Sequence, residues 1–181
     1  MCRAAGEPRL PGFLRPTRRP LWKRLPSVVQ CTQNGWRFLL ANHFAVNLLA
    51  SGWVFDAFPR LQFIFCQLGG FIPFSLGRSD LGYEMNKIYQ TRQSGSADIK
   101  MVRLRDYAGR FYVDTHSMDY AAIRCAAETL GADRILYATD YPVTIPDMGA
   151  RWHREQIEKT ELGDEAIGAM KYGNAKALFK L

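Results

Sequence analysis

Asp140 is where chemistry first shows in this chain. It follows the apolar run Ile135-Leu136-Tyr137-Ala138 and stands just before Tyr141 and Pro142. A short apolar run without alternation suits a strand buried on both faces of a parallel sheet. Pro142 cannot donate a ladder hydrogen bond and disfavours helix before it, so the strand is expected to stop there. The carboxyl end of such a strand is where ligands, metals and catalytic groups gather in open α/β sheets and barrels alike. Asp140 therefore reads either as a ligand-handling carboxylate or as a cap on the following turn. Two more strand ends carry suggestive residues. Leu61–Cys66 runs into Gln67-Leu68-Gly69-Gly70, and paired glycines there admit either a ligand or a neighbouring element. Phe111–Val113 ends in Asp114, Thr115 and His116. The other two histidines, His43 and His153, fall in helical patterns, where a lone histidine is more often a packing or surface residue than a ligand.

The elements that would position these residues alternate. Phe38, Leu39, Ala41, Ala45, Leu48 and Leu49 recur at helical spacing and predict a helix with one apolar face, stopped near Gly52. After Pro59 come the strand Leu61–Cys66, a helix from Ile72 to Tyr89 with Arg78 in its second turn, and an exposed loop over residues 91–100. The strand Phe111–Val113 is followed by a helix over Tyr120–Leu130, closed by Gly131, and then by the Asp140 strand. A loop holding Pro146 and Gly149 leads to helices from Arg151 to Thr160 and from Asp164 onward, the latter broken near Gly173-Asn174. Strands separated by helical crossovers are parallel, with helices outside them.

Length and charge bound what such a sheet can be. The chain has 181 residues and a net charge of +7, enough for one domain with a sizeable core. Seven basic residues against Glu7 lie in residues 1–30, leaving +1 for the rest. This basic, proline-rich leader, residues 1–34, is read as irregular. A nucleic-acid arm is the remote alternative, although Phe13 and Trp22 are too few for a stacking platform. Cys2, Cys31, Cys66 and Cys125 form no C-x-x-C pair, which suits a reducing compartment and gives neither a disulfide framework nor a zinc knuckle. No apolar run reaches the roughly 18–20 residues of a membrane span, and no apolar signal region is seen. The expected location is cytoplasmic.

Five stretches make the reading specific: S-G-W-V-F-D-A-F-P-R-L at Ser51–Leu61, Q-L-G-G-F-I-P-F-S-L-G-R at Gln67–Arg78, F-Y-V-D-T at Phe111–Thr115, G-A-D-R-I-L-Y-A-T-D-Y-P at Gly131–Pro142 and G-N-A-K-A-L-F at Gly173–Phe179. In order and spacing, residues 35–181 resemble the C-terminal half of the amidohydrolase-related family. These are metal-dependent hydrolases and decarboxylases, with aminocarboxymuconate-semialdehyde decarboxylase among them. The resemblance implies an α/β fold, a partial (β/α)₈ TIM barrel of the last three parallel strands with their helices. It places Asp140 on the aspartate that closes the metal site, where zinc or manganese is implied, and that handles the metal-bound water. It places Arg78 on an arginine that reaches the substrate carboxylate from the neighbouring subunit. Gly69 and Gly70, beside the position of the family's catalytic histidine, are candidate substrate-binding residues.

The departures bear on activity. The His-x-His of the family's first strand is absent, as is its later His-Pro step, and Gln67 stands at the catalytic histidine of His-x-Gly-Gly. An amide cannot take and return a proton near neutral pH, and a carboxylate alone falls short of the three protein ligands of a catalytic zinc site. The chain is therefore expected to act on a small carboxylate-bearing substrate only as part of a larger assembly, to retain little metal by itself and to be inactive alone. A non-catalytic subunit that lends Arg78 to a complete paralogue is the alternative. Three strands cannot close an eight-stranded barrel, so pairing with a second copy or a partner barrel half is expected through the edge of Leu61–Cys66.

Overall fold

A computed structural model describes residues 35–92, 102–116, 118–143 and 146–181. The chain divides into two units, Met1–Trp36 and Arg37–Leu181. The leader read at residues 1–34 lies outside the described residues, as do 93–101 of the expected loop. Thr91 and Arg92, also assigned to that loop, belong instead to the preceding helix.

Helix α1 (Arg37–Ser51) ends where expected, with Gly52 N–H donating to the Leu48 carbonyl at 2.8 Å. Its buried face matches the apolar spacing only in part, for Ala45 and Leu49 pack against the core. Val46 and Ala50 are buried, whereas Phe38 and Leu48 are 43% and 68% exposed. Apolar residues occur on two sides of α1, and spacing alone does not say which side packs. A single turn, α2 (Val54–Ala57), drives Phe55 into an aromatic cluster. Its ring stacks on Tyr107 at 5.4 Å and meets Phe63 edge-on at 5.4 Å.

The sheet has three parallel strands, β1 (Phe63–Phe65), β2 (Phe111–Asp114) and β3 (Ile135–Leu136), in that spatial order. Phe63, Ile64 and Phe65 pair with Phe111, Tyr112 and Val113, and Val113 and Asp114 pair with Ile135 and Leu136. Two strands are shorter than the sequence suggests. Leu61 and Cys66 lie outside β1, and Ile64 is 43% exposed, so β1 is not buried on both faces. β1 is one of the two outer strands, and among the described residues only β2 pairs with it. β3 stops at Leu136 because Tyr137 N–H turns away to the Met170 carbonyl at 3.0 Å.

Two helices carry the crossovers, α3 (Ile72–Arg92) between β1 and β2 and α4 (Tyr120–Leu130) between β2 and β3. A seven-residue 3₁₀ segment, Leu104–Arg110, leads into β2. The α4 limits match the expectation. Asp119 caps it by accepting from Ala122 N–H at 3.0 Å, and Gly131 closes it at φ 103°. Its first free donor, Tyr120 N–H, is taken by buried Gln156 Oε1 at 3.1 Å. Gln156 belongs to α5 (Pro146–Glu158), which begins five residues before the expected Arg151. Pro146, read as a loop breaker, stands at the first helical position, where its missing N–H costs nothing.

The expected break at Gly173-Asn174 is also absent. Between α6 (Asp164–Gly168) and α7 (Asn174–Phe179) the chain makes a π turn, Ala169–Gly173, and the backbone stays helical throughout. The extra residue in that turn rotates buried Asn174 inward, where Nδ2 donates to the Ala132 and Ile135 carbonyls at 2.8 and 2.7 Å. The outer edge of β3 is thereby partly satisfied. Phe65, Phe111, Val113, Ile123, Ala126, Ile135, Ile157 and Met170 form the core beneath the sheet.

Candidate active site at the carboxyl ends of the strands

Beyond β1 the backbone enters the left-handed region for four residues, Gln67, Leu68, Gly69 and Gly70, at φ 55°, 55°, 70° and 73°. Gly69 N–H donates to the Cys66 carbonyl at 3.0 Å and Gly70 N–H to the Gln67 carbonyl at 2.9 Å, closing a left-handed turn. Such a conformation costs a non-glycine residue roughly 1–2 kcal/mol, and the burial of Leu68 helps to offset it. Both glycines are explained by packing. A Cβ on Gly69 would lie 3.2 Å from Val113 Cγ1, and one on Gly70 would collide with the Leu39 carbonyl oxygen of α1. Of the two approaches the sequence left open, to a ligand or to a neighbouring element, the second is seen, at Val113 and Leu39. The Gln67 side-chain Oε1 is buried and without a hydrogen-bond partner.

At the end of β2, Asp114 is nearly buried, and its Oδ1 accepts from Gln67 N–H at 2.7 Å and His116 N–H at 3.1 Å. Burial pushes its carboxyl above the ordinary value, opposed by these donated hydrogen bonds and by the Cys66 thiol. The Cys66 thiol is itself raised, first by burial and then by the Asp114 charge. Thr115 is fully buried and joins β2 to the chain beyond β3. Its N–H donates to the Leu136 carbonyl at 2.9 Å, and its Oγ1 accepts from Ala138 N–H at 3.2 Å.

Beyond β3, Asp140 adopts φ 59° and its Oδ2 lies 2.9 Å from His116 Nε2. The two side chains are 34% and 13% exposed, so the pair is reachable from solvent through Asp140. His153 on α5 is buried, with Nδ1 2.5 Å from the Gly149 carbonyl and its ring centroid 6.4 Å from that of His116. Tyr137 OH donates to the Ala150 carbonyl at 2.9 Å and ties this helix to the end of β3.

The structure thus brings together the backbone of Gln67 after β1, Asp114 and His116 from the end of β2, and Asp140 beyond β3. Arg78 is not part of this group. It lies exposed on α3 with no ion pair to another described residue. His43 on α1 also stands apart, edge-on to Phe71 at 6.3 Å, with burial lowering its pKa. Sequence reasoning put His116 near the ligand face without its partner. It read His153 as a helical packing or surface residue, and His153 is buried on α5; it missed the bridging role of Asp114, for which no local signal exists.

Among the described residues no group of three or more His, Cys, Asp and Glu side chains is arranged to hold a metal ion. The donors nearest that requirement are Asp140 and His116, already in contact with each other. This set does not fit a catalytic site of three or more protein ligands.

Three parallel β/α units with titratable groups gathered at the strand ends have the arrangement of part of a (β/α)₈ barrel. The amidohydrolase family profile matches residues 3–181, and the chain belongs to that family. Gamma-resorcylate decarboxylase from Polaromonas sp. (strain JS666) is 32% identical over 139 residues, 76% of this chain and 39% of that protein. Decarboxylase orsB from Emericella nidulans is 29% identical over 149 residues, 81% of this chain and 42% of that protein. A solved dihydroxybenzoic acid decarboxylase from Polaromonas sp. JS666, with bound manganese and 2-nitroresorcinol, matches at TM-score 0.62 and 28% identity, over 87% of this chain and 47% of that one. The chain therefore spans about two fifths of the length of the curated relatives it matches. These relatives are decarboxylases of carboxylate substrates, and no described helix is long and apolar enough to cross a membrane.

Proposed function

We propose that this chain carries the carboxyl-terminal strand ends of a decarboxylase site for a small carboxylate-bearing substrate, of the hydroxybenzoate class its relatives' names describe. The observation that carries the reading is the 2.9 Å contact between His116 Nε2 and Asp140 Oδ2 at the open end of the sheet. Loss of carbon dioxide leaves the bonding electron pair on carbon, and a proton must then be delivered there. Gln67 cannot supply it. His116 can, since an imidazole exchanges a proton near neutral pH and the Asp140 carboxylate orients the ring. No step is assigned to a metal, because the donors present do not fit one.

A closed barrel needs eight strands, so the reading requires the remaining strands to be supplied. The test is a fusion of residues 35–181 to the N-terminal segment of the Polaromonas gamma-resorcylate decarboxylase, assayed for release of carbon dioxide from 2,6-dihydroxybenzoate. His116→Gln should lower turnover by about 10²–10⁴-fold, the usual worth of a general acid or base. Turnover unchanged in His116→Gln would remove His116 from the reaction. A second reading, a non-catalytic subunit, is favoured by Gln67 and by the exposed Arg78, which is free to reach a carboxylate in a partner's site.

A further inference from the structure

One buried carboxylate holds the site's components at fixed positions. Gln67 and His116 are 49 residues apart in the sequence, yet their amide N–H groups meet at a single oxygen, Asp114 Oδ1, at 2.7 and 3.1 Å. The first of these donors opens the left-handed turn at Gln67–Gly70. The second follows Asp114 by two residues and carries the imidazole that reaches Asp140. Asp114 itself lies at the last paired position of β2, opposite Leu136, so its backbone is fixed by the sheet. Asp114 as a whole is 8% exposed. A nearly buried carboxylate is tolerated only when donors converge on it, and the donors here are parts of the site.

We propose that Asp114 is the positioning residue of this site: by accepting both amides it locks the position-67 turn and the His116–Asp140 pair into one geometry. It touches no reacting atom and acts through Gln67 and His116. A capping carboxylate serves one helix or turn, whereas this one joins the ends of two strands. The proposal rests on the functional reading above only in calling these strand ends a site.

The experiment is amide hydrogen exchange and ¹H–¹⁵N correlation spectroscopy on the full chain, so a failed turnover assay would leave it intact. In the wild type, the Gln67 and His116 amides should exchange slowly and their protons should resonate downfield, as expected for donors to a carboxylate. Asp114→Ala should lose about 10- to 100-fold of that protection, the worth of a hydrogen bond to a charged group. It should also shift the His116 ring nitrogens in the same direction as Asp140→Asn does. Thr115 N–H, bonded to Leu136, should stay as it was. Asp114→Asn keeps an oxygen in the Oδ1 position and should restore most of the protection and the ring signal. If Asp114→Ala does not fold, the wild type and Asp114→Asn decide the question between them. Gln67 and His116 amides exchanging as fast as exposed loop amides in the wild type would overturn the proposal. So would a loss of protection in Asp114→Asn, or His116 ring signals indifferent to Asp114→Ala.

Discussion

Gln67 and His116 meet at one acceptor, Asp114 Oδ1, and only the second carries a side chain able to take and return a proton. Position 67 lies on a strained turn at the end of β1 with its side-chain oxygen buried and unpartnered, a place prepared for a group that forms hydrogen bonds. Gln67→His in the completed barrel should raise turnover, since general acid–base catalysis is worth roughly 10²–10⁴-fold. An unchanged rate in the initial-velocity assay would mean that proton delivery runs through His116 alone. The placement of Asp140 beyond the last strand was legible from the apolar run before it, although β3 ends at Leu136, four residues earlier. Its partner was not, because His116 lies 24 residues away and only the pairing of β2 with β3 brings the two ends together. The same holds for Asp114. Its role depends on β1 lying beside β2, which no local pattern states.

The elements show a similar division between local and distant causes. The limits of α4 were readable because Asp119 and Gly131 act on their own neighbours. The extent of β3 was not, because Met170 and Asn174 come from the far end of the chain to engage it. At Gly70 both causes meet, a positive φ and the Leu39 carbonyl of α1. Gly70→Ala should therefore destabilise the fold by more than about 2 kcal/mol, read as a fall in the denaturant midpoint. Gly82→Ala on α3, with open space around its Cβ position, should be neutral or stabilising. A second element-scale test concerns α3 and the 3₁₀ segment before β2. Arg105 Nε donates to Asp80 Oδ2 at 2.6 Å, and Arg103 Nε lies 3.4 Å from Oδ1. The Arg105 hydrogen bond, and then the two guanidinium charges, hold the Asp80 carboxyl below its ordinary value. A depressed carboxylate stabilises the fold above its unfolded pKa, and that contribution is lost as pH falls through the folded value. Asp80→Asn should thus lower Tm at neutral pH and flatten the decline of Tm below about pH 4. Parallel declines in both proteins would contradict the assignment.

At the scale of the molecule, the two outer strands are unequal. The edge of β3 is engaged by Asn174 and Met170, whereas Leu61 and Ile64 beside and within β1 are 49% and 43% exposed. An exposed apolar edge strand templates pairing with another chain. Sedimentation at low micromolar concentration should show species larger than a monomer, and Ile64→Lys should shift them toward one. A sharp monomer with unaltered Ile64 would mean that β1 is covered. As proposed above, these strand ends form part of a decarboxylase site that works only when the other strands are present. This central claim is tested most directly by measuring carbon dioxide release from 2,6-dihydroxybenzoate, with manganese, by the chain alone and by its fusion to the N-terminal segment of the Polaromonas relative. The account predicts no turnover above background alone, turnover in the fusion, and its loss in Asp140→Asn. Turnover by the isolated chain, or a folded fusion that releases none, would contradict it.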